Sequence, residues 1–216
     1  MNERIKGWTP EISKCPLVSE KAVNINLPVP VLEGYFKLQL IDAKTKNIEK
    51  ELNFKNVITN VVLDALGAGT NDLNSLFQYL SVGTGGVSGV NIPSGSNTAL
   101  VAEITPASSQ RTNNAEAVAE SLLFKTGSTP YNPYWCWTRH RLFTEAQGNG
   151  NLTEIGFWDA QSGGKLANRA AIRDGIGTPV TLTKTVDQQL RVDFEWRMYI
   201  PVGLVSGTFY MAGGNI

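Results

Sequence analysis

The most regular pattern in the chain is an alternation of apolar and polar positions near its end. The apolar members of this run are Leu190, Val192, Phe194, Trp196, Met198 and Ile200. A period of two places every second side chain on one face, which predicts a half-buried β-strand. At about 3.3 Å per residue, the strand would span roughly 35 Å. Its predicted antiparallel partner is residues 180–186, reached through a turn at Asp187 and Gln188.

Similar patterns predict most of the remaining secondary structure to be β. Phe36, Leu38 and Leu40 alternate with polar residues, and the pattern resumes at Leu52 and Phe54 after a polar turn, which predicts a hairpin. Residues 115–124 fit either a short helix or a strand, and residues 83–95, rich in Gly and Ser, predict a long loop. Further strands are predicted at residues 76–82, 134–144, 152–158 and 166–172.

One segment has the period of an α-helix. Apolar residues recur there at i, i+3, i+4, i+7 and i+8, as Ile58, Val61, Val62, Ala65 and Leu66. We predict a helix near residues 57–66, with Asn56 as the N-cap and Gly67 ending it in the left-handed conformation. About three turns long, it needs a sheet to pack against.

The two ends of the chain predict extensions. Residues 1–33 are interpreted as an extended arm, because proline recurs at positions 28 and 30, where it fixes φ and removes backbone donors. A disordered tail is the alternative, but apolar residues argue for an arm that docks on a neighbour. Residues 201–216 form a predicted C-terminal extension, laid either on a neighbouring subunit or in its own sheet. The predicted assembly residues are Trp8, Leu27, Val29, Val31, Phe209 and Tyr210.

Together these patterns predict a mainly β fold, an antiparallel β-sandwich with one packed α-helix and an extended N-terminal arm. The sandwich domain is predicted to span residues 34–200. The full chain of 216 residues is long enough to bury a substantial core.

Charge and cysteine content narrow the classes of function. Lys plus Arg and Asp plus Glu both number 19, so bulk charge gives no attraction to nucleic acid. Cys15 and Cys136 are predicted to be free thiols, and two cysteines so spaced exclude a zinc module. The chain lacks an apolar run long enough to span a bilayer, and we expect a soluble protein that is made in the cytoplasm.

The candidate catalytic groups do not match the spacing or motifs of known sites, so we expect no enzyme activity and no cofactor. His140 and Cys136 lie on one face of a predicted strand but about 13 Å apart, too far to form a dyad. The glycine run that begins at Gly83 lacks the Gly-Lys-Ser/Thr of a phosphate loop, and Ser88 occupies the third glycine position of a dinucleotide fingerprint.

Two further groups leave alternatives open. Glu145 and Glu154 flank a predicted turn and could pair as in glycoside hydrolases, although carboxylates that merely flank a hairpin are far commoner. Tyr134, Trp135 and Trp137, with Tyr131, could form a flat sugar-binding platform. Aromatic residues are equally typical of cores and subunit interfaces, which we favour.

Several motifs in combination resemble tail, neck and fibre-attachment proteins of tailed bacteriophages. Residues 152–160 read Leu-Thr-Glu-Ile-Gly-Phe-Trp-Asp-Ala, and residues 163–169 read Gly-Gly-Lys-Leu-Ala-Asn-Arg. In that family a similar strand, glycine turn and second strand lead to a Thr-rich hairpin that ends in an alternating strand, here residues 180–200. Upstream segments that begin at Asn56, Leu80 and Asn97 are also similar. The resemblance covers residues 54–200.

This resemblance implies a structural protein of the virion. The expected role is an oligomer at the tail, neck (collar) or baseplate that attaches fibres or neighbouring tail components, with itself and other virion proteins as partners and neither nucleic acid nor membrane. The mechanism would be assembly by complementary faces and closed symmetry. The alternative is a receptor-binding module that recognises host surface glycan through Tyr134, Trp135 and Trp137.

Overall fold

The structure is a computed structural model that describes residues 31–85, 92–104, 111–115, 122–125 and 133–199. Within these residues, which belong to one compact unit, lie ten strands and two short helices. In chain order they are β1 Val31–Asp42, β2 Ile48–Ile58, α1 Asn60–Gly67, α2 Leu73–Leu76, β3 Tyr79–Gly83, β4 Leu122–Lys125, β5 Tyr134–Phe143, β6 Gly150–Leu152, β7 Glu154–Trp158, β8 Asn168–Ala171, β9 Leu182–Lys184 and β10 Gln188–Tyr199.

Eight of these strands form one curled antiparallel sheet in the order β3-β7-β8-β2-β1-β10-β5-β4. β6 and β9 make a separate two-stranded ribbon. The predicted mainly β class is therefore confirmed, and so is the hairpin of β1 and β2, which pair from Gly34 with Asn56 onward. The two-layer sandwich remains a prediction.

The core lies on one side of the long central strands. Phe36, Phe194 and Phe157 pack with ring centroids 5.2–6.0 Å apart, and Phe77 stacks on Phe194 at 5.1 Å. Val62 of α1 closes the same core and is fully buried. The alternation read from the sequence thus divides each central strand into a core face and an outer face, because successive side chains point to opposite sides.

The helix begins later than predicted. Asn56 and Ile58 belong to β2, and the N-cap of α1 is Thr59. The reason is strand pairing with β8, which uses the backbone up to Ile58, after which the Thr59 N–H donates to the Ala167 carbonyl at 3.1 Å. The predicted left-handed end is also wrong at Gly67, which is the last helical residue; Gly69 is the residue with positive φ, +64°.

Three predicted strands differ from those observed. Leu76 ends the short helix α2, so the strand that follows starts only at Tyr79. Residues 180–186 supply only β9, which pairs with β6, and the partners of β10 are β1 and β5. The strand predicted at residues 166–172 is the shorter β8. Long-range pairing decided each of these outcomes, and local alternation does not identify a strand's partner.

The predicted extensions lie largely outside the described residues. This applies to Trp8, Leu27, Val29, Phe209 and Tyr210, to Cys15, and to Ile200, the predicted last residue of β10. Val31 is described: it opens β1 opposite Tyr199, so residues 31–33 of the predicted arm are part of the sheet. The sequence of residues 115–124 fits either a helix or a strand, and the described residues Leu122–Lys125 form a strand.

Candidate functional site

The residues that carry the family resemblance converge on a buried ion pair. Glu154 on β7 is fully buried, and Arg169 on β8 is 2% exposed. One carboxylate oxygen of Glu154 accepts hydrogen bonds from Arg169 Nε at 2.9 Å and from Val101 N at 3.1 Å, and the other accepts from Ala102 N at 2.8 Å. Arg169 also donates to Asn97 Oδ1 at 3.1 Å. We call Glu154, Arg169, Asn97 and the backbone of residues 101–102 the Glu154 cluster.

Glycines in the same motifs make room for this cluster. A Cβ atom on Gly83 or Gly85 would lie 2.7 or 2.5 Å from Glu154 Oε1. A Cβ on Gly156 would lie 2.6 Å from the carbonyl oxygen of Asn168, whose own Oδ1 accepts from Phe157 N at 2.8 Å. These motif residues therefore have a packing role that the geometry explains.

The two carboxylates considered as a catalytic pair have different partners, and His140, excluded by spacing from a dyad with Cys136, faces an aspartate instead. Glu154 is held in the Glu154 cluster, whereas Glu145 accepts a hydrogen bond from Gln189 at 3.0 Å. His140 Nδ1 lies 2.6 Å from Asp193 Oδ1 on the neighbouring strand. Burial is the main cause that raises the pKa of the Cys136 thiol to about 11, so the thiol stays protonated near neutral pH. Cys136 is free, as predicted.

The outer face of the sheet carries a ladder of paired charges. Lys55 donates to Glu33 at 2.8 Å, and the Arg197 guanidinium lies over the Tyr35 ring, 4.0 Å from its centroid. Burial and the hydrogen bond to Glu33 raise the pKa of Tyr35 to about 12. Between this face and the loop of residues 173–177 lies an open groove of about 920 Å³. Its lining bears both signs of charge, so it suits a neutral polar ligand better than an ion.

The predicted sugar platform is split between the two faces. Tyr134 lies on the outer face, with its ring 5.1 Å from Tyr199, because neighbours along a strand point to opposite sides. Trp135 and Trp137 lie on the core face, and Trp137 is only 6% exposed, with Phe77 packed against its ring. The three side chains therefore do not form one flat surface. Tyr131 lies outside the described residues.

An apolar surface remains at the end of the sheet where β4 and β5 pair. On the core face, Leu122 is 61% exposed, Phe124 47% and Trp135 38%. The Phe124 and Trp135 rings meet edge to face, with centroids 5.3 Å apart. We call Leu122, Phe124 and Trp135 the aromatic edge. Single exposed apolar residues are ordinary, but a contiguous group of large ones marks an interaction surface.

The aromatic edge continues into the central strands without a charged residue. The register places Trp135 opposite Met198, and Met198 opposite Leu32. In the next row Leu122 lies opposite Trp137, which is opposite Trp196. The Trp196 indole nitrogen is buried and has no hydrogen-bond partner among the described residues. A buried donor without an acceptor is rare in proteins.

The sequence signal for this surface was present but indirect. Leu122, Leu123 and Phe124 are consecutive apolar residues in a segment whose sequence fits either a helix or a strand. Only the strand pairing shows which of them share a face with Trp135. Of the predicted assembly residues that the structure describes, Val31 is 56% exposed, at the same end of the sheet.

The comparisons with known proteins add no relative. No family model matches the chain, no curated protein matches it, and no solved structure matches it. Among the described residues, no helix is long and apolar enough to cross a membrane, and no group of three or more His, Cys, Asp or Glu residues is arranged to hold a metal ion.

Proposed function

We propose that the protein is a structural component of a tailed-bacteriophage virion that oligomerises at the tail, neck or baseplate and attaches fibres or neighbouring tail proteins. The observation that carries this proposal is the aromatic edge, an exposed apolar surface on the last strand of the sheet. The two-layer sandwich remains part of the same proposal.

The chemistry of the aromatic edge suits a protein partner. Aromatic and aliphatic residues without charges are typical of the centre of protein–protein interfaces. In the described part of the chain no strand lies beyond β4, and an edge strand offers backbone groups to which another chain can pair. This surface therefore provides both apolar area and a backbone template for assembly.

The resemblance to phage tail, neck and fibre-attachment proteins is the basis for the proposed location in the virion. The motif residues contact one another in and around the Glu154 cluster, although they come from segments that are far apart in the chain. These residues are Gly83, Asn97, Glu154, Gly156 and Arg169. This coherence supports the resemblance to phage tail and neck proteins, whose role would then be assembly.

The test of location is immunogold labelling of purified particles of the phage that encodes the chain. We expect label at the tail, neck or baseplate, and the protein's peptides in the mass spectrum of the same particles. Particles that contain neither label nor peptides would overturn the proposal.

A second candidate function is recognition of a host glycan, at the groove of the outer face instead of the predicted platform. The observation that favours it is the Tyr35 ring under the Arg197 guanidinium, beside charges of both signs. A glycan array would test it: binding by the wild-type chain that disappears in Tyr35→Ala supports this function, and an array without binding contradicts it.

A further inference from the structure

We infer that the aromatic edge of one copy binds the uncharged segment of residues 22–30 from a second copy. This inference rests on the proposed function, because it names the occupant through which the oligomer forms. It also makes assembly reciprocal, since each copy would supply one segment and one edge.

The aromatic edge determines what can bind to it. Phe124 and Trp135 offer exposed rings, and the two rows that join them to β10 and β1 contain no charged side chain. A charged partner would lose its hydration there without gaining a counter-charge. The expected ligand is therefore an uncharged apolar chain, extended enough to follow neighbouring strands.

Residues 22–30 have these properties. The sequence from position 22 to position 32 is Ala-Val-Asn-Ile-Asn-Leu-Pro-Val-Pro-Val-Leu, and the nearest charged residues are Lys21 and Glu33. Pro28 and Pro30 favour an extended backbone, which lowers the entropy lost on binding. Aromatic surfaces recognise such proline-containing segments in several known domain types. The segment and the edge therefore match in polarity and in shape.

The position of β1 favours a second copy over the same chain. The segment leads directly into Val31, which is paired to Tyr199, and β5 lies two strands away, roughly 10 Å across the sheet. To reach its own Trp135, the chain would have to turn sideways within the few residues that include Pro28 and Pro30. Prolines with fixed φ disfavour that turn, which favours a second copy as the acceptor of the segment.

The test is complementation between two full-length variants, followed by light scattering after gel filtration. Phe124→Glu disables the edge and keeps the segment, whereas Val29→Asp disables the segment and keeps the edge. We expect a defined multimer for the wild-type chain and at least about a tenfold weaker self-association for each variant alone. An equimolar mixture should form a one-to-one heterodimer and nothing larger, because only one intact segment–edge pair remains.

Matched controls separate the contact from general effects of added charge. Val186→Glu places the same substitution on a 65% exposed residue next to the opposite end of β10, and Val18→Asp places a charge in the N-terminal region outside residues 22–30. Both controls should assemble like the wild-type chain. Thermal unfolding of the Phe124→Glu variant should stay close to that of Val29→Asp, the other variant expected to be dissociated, which shows that the fold is retained.

The outcomes distinguish this inference from the proposed function. A wild-type monomer, variants that assemble normally, or a mixture that forms no heterodimer would each overturn the inference. In each case the labelling of virions still decides the proposed function by itself. Labelled particles together with failed complementation would leave a virion protein whose assembly uses another surface.

Discussion

The Glu154 cluster and the aromatic edge differ in which side chains they bury and which they expose. In the Glu154 cluster, charged side chains are buried, and each carboxylate oxygen has donors within 3.1 Å. At the aromatic edge, large apolar side chains are exposed, and the nearby Trp196 nitrogen has no described partner. The first region buries a charge pair within one chain, whereas the second exposes large apolar side chains to solvent. Stability and assembly are therefore expected to respond to different residues.

The largest expected effect is the loss of the buried charge pair. Glu154→Gln removes the carboxylate that pairs with the buried Arg169 guanidinium, and we expect the free energy of unfolding to fall by about 3–5 kcal/mol. Urea unfolding in the Phe124→Glu background measures this change on the expected monomer. Glu51→Gln, which removes an exposed carboxylate paired with Lys37, should leave the midpoint nearly unchanged. Equal losses in the two variants would contradict the comparison.

A smaller loss is expected where the motif glycine allows close packing. Gly156→Ala would place a Cβ atom 2.6 Å from a backbone oxygen, and we expect a cost of about 1–3 kcal/mol in unfolding free energy because the backbone must shift. Gly175→Ala is the control, since a Cβ atom there meets nothing within 4 Å. A Gly156→Ala variant as stable as the control would show that β7 and β8 separate easily.

Because Lys184 is buried, we predict that the free energy of unfolding rises with pH. Burial lowers the pKa of its amine from 10.5 to about 8, although Nζ donates to the Thr144 carbonyl at 2.9 Å and to Asn149 Oδ1 at 2.7 Å. Between pH 8 and 10.5 the unfolded chain holds a proton that the folded chain has lost, so this residue makes the free energy of unfolding rise with pH.

The measurement is chemical unfolding at several pH values in wild type and in Lys184→Met. The difference between the two chains isolates Lys184 from groups of opposite sign, such as Cys136, whose raised pKa makes stability fall above pH 9. We expect the wild type to gain more than about 1 kcal/mol relative to the variant across this interval. Parallel pH curves would show that the lysine keeps its ordinary pKa.

The smallest expected effect is at Trp196. Trp196→Phe removes the unpaired indole nitrogen while retaining an aromatic ring, and we expect the monomer's unfolding free energy to change by less than about 1 kcal/mol, because loss of the unsatisfied donor offsets loss of packing. Trp137→Phe, at the neighbouring buried position, is the comparison. A loss of several kcal/mol at Trp196 would show that the lost packing of the indole outweighs the gain from removing the unsatisfied donor.

Much of the central sheet was predictable from the sequence. The alternation over residues 190–200 and around Phe36, Leu38 and Leu40 gave β10 and β1 with their core faces, because a half-buried strand requires a period of two. The start of α1 was not predictable by the same reasoning. Ile58 fits the helical stripe, and only the pairing of Val57 and Ile58 to β8 reveals both as strand residues.

The candidate surface was less predictable than the fold. Tyr134, Trp135 and Trp137 are neighbours in sequence, but β5 separates the first from the other two and buries Trp137. The aromatic edge joins Leu122 and Phe124 of β4 to Trp135 of β5, and the register between these consecutive strands decides which side chains share a face. Alternation within one strand does not encode that register, because its free energy comes from burial shared between segments.

By itself, the sequence determined the mainly β class, the faces of its long strands and the balanced charge, since these follow from residue type and short-range period. Only the tertiary structure decided that β10 lies between β1 and β5, that Glu154 meets Arg169, and that Phe124 and Trp135 share an exposed surface. The physical reason is that alternation fixes the direction of a side chain relative to its own strand, whereas the identity of its neighbours depends on how the whole sheet closes over one core.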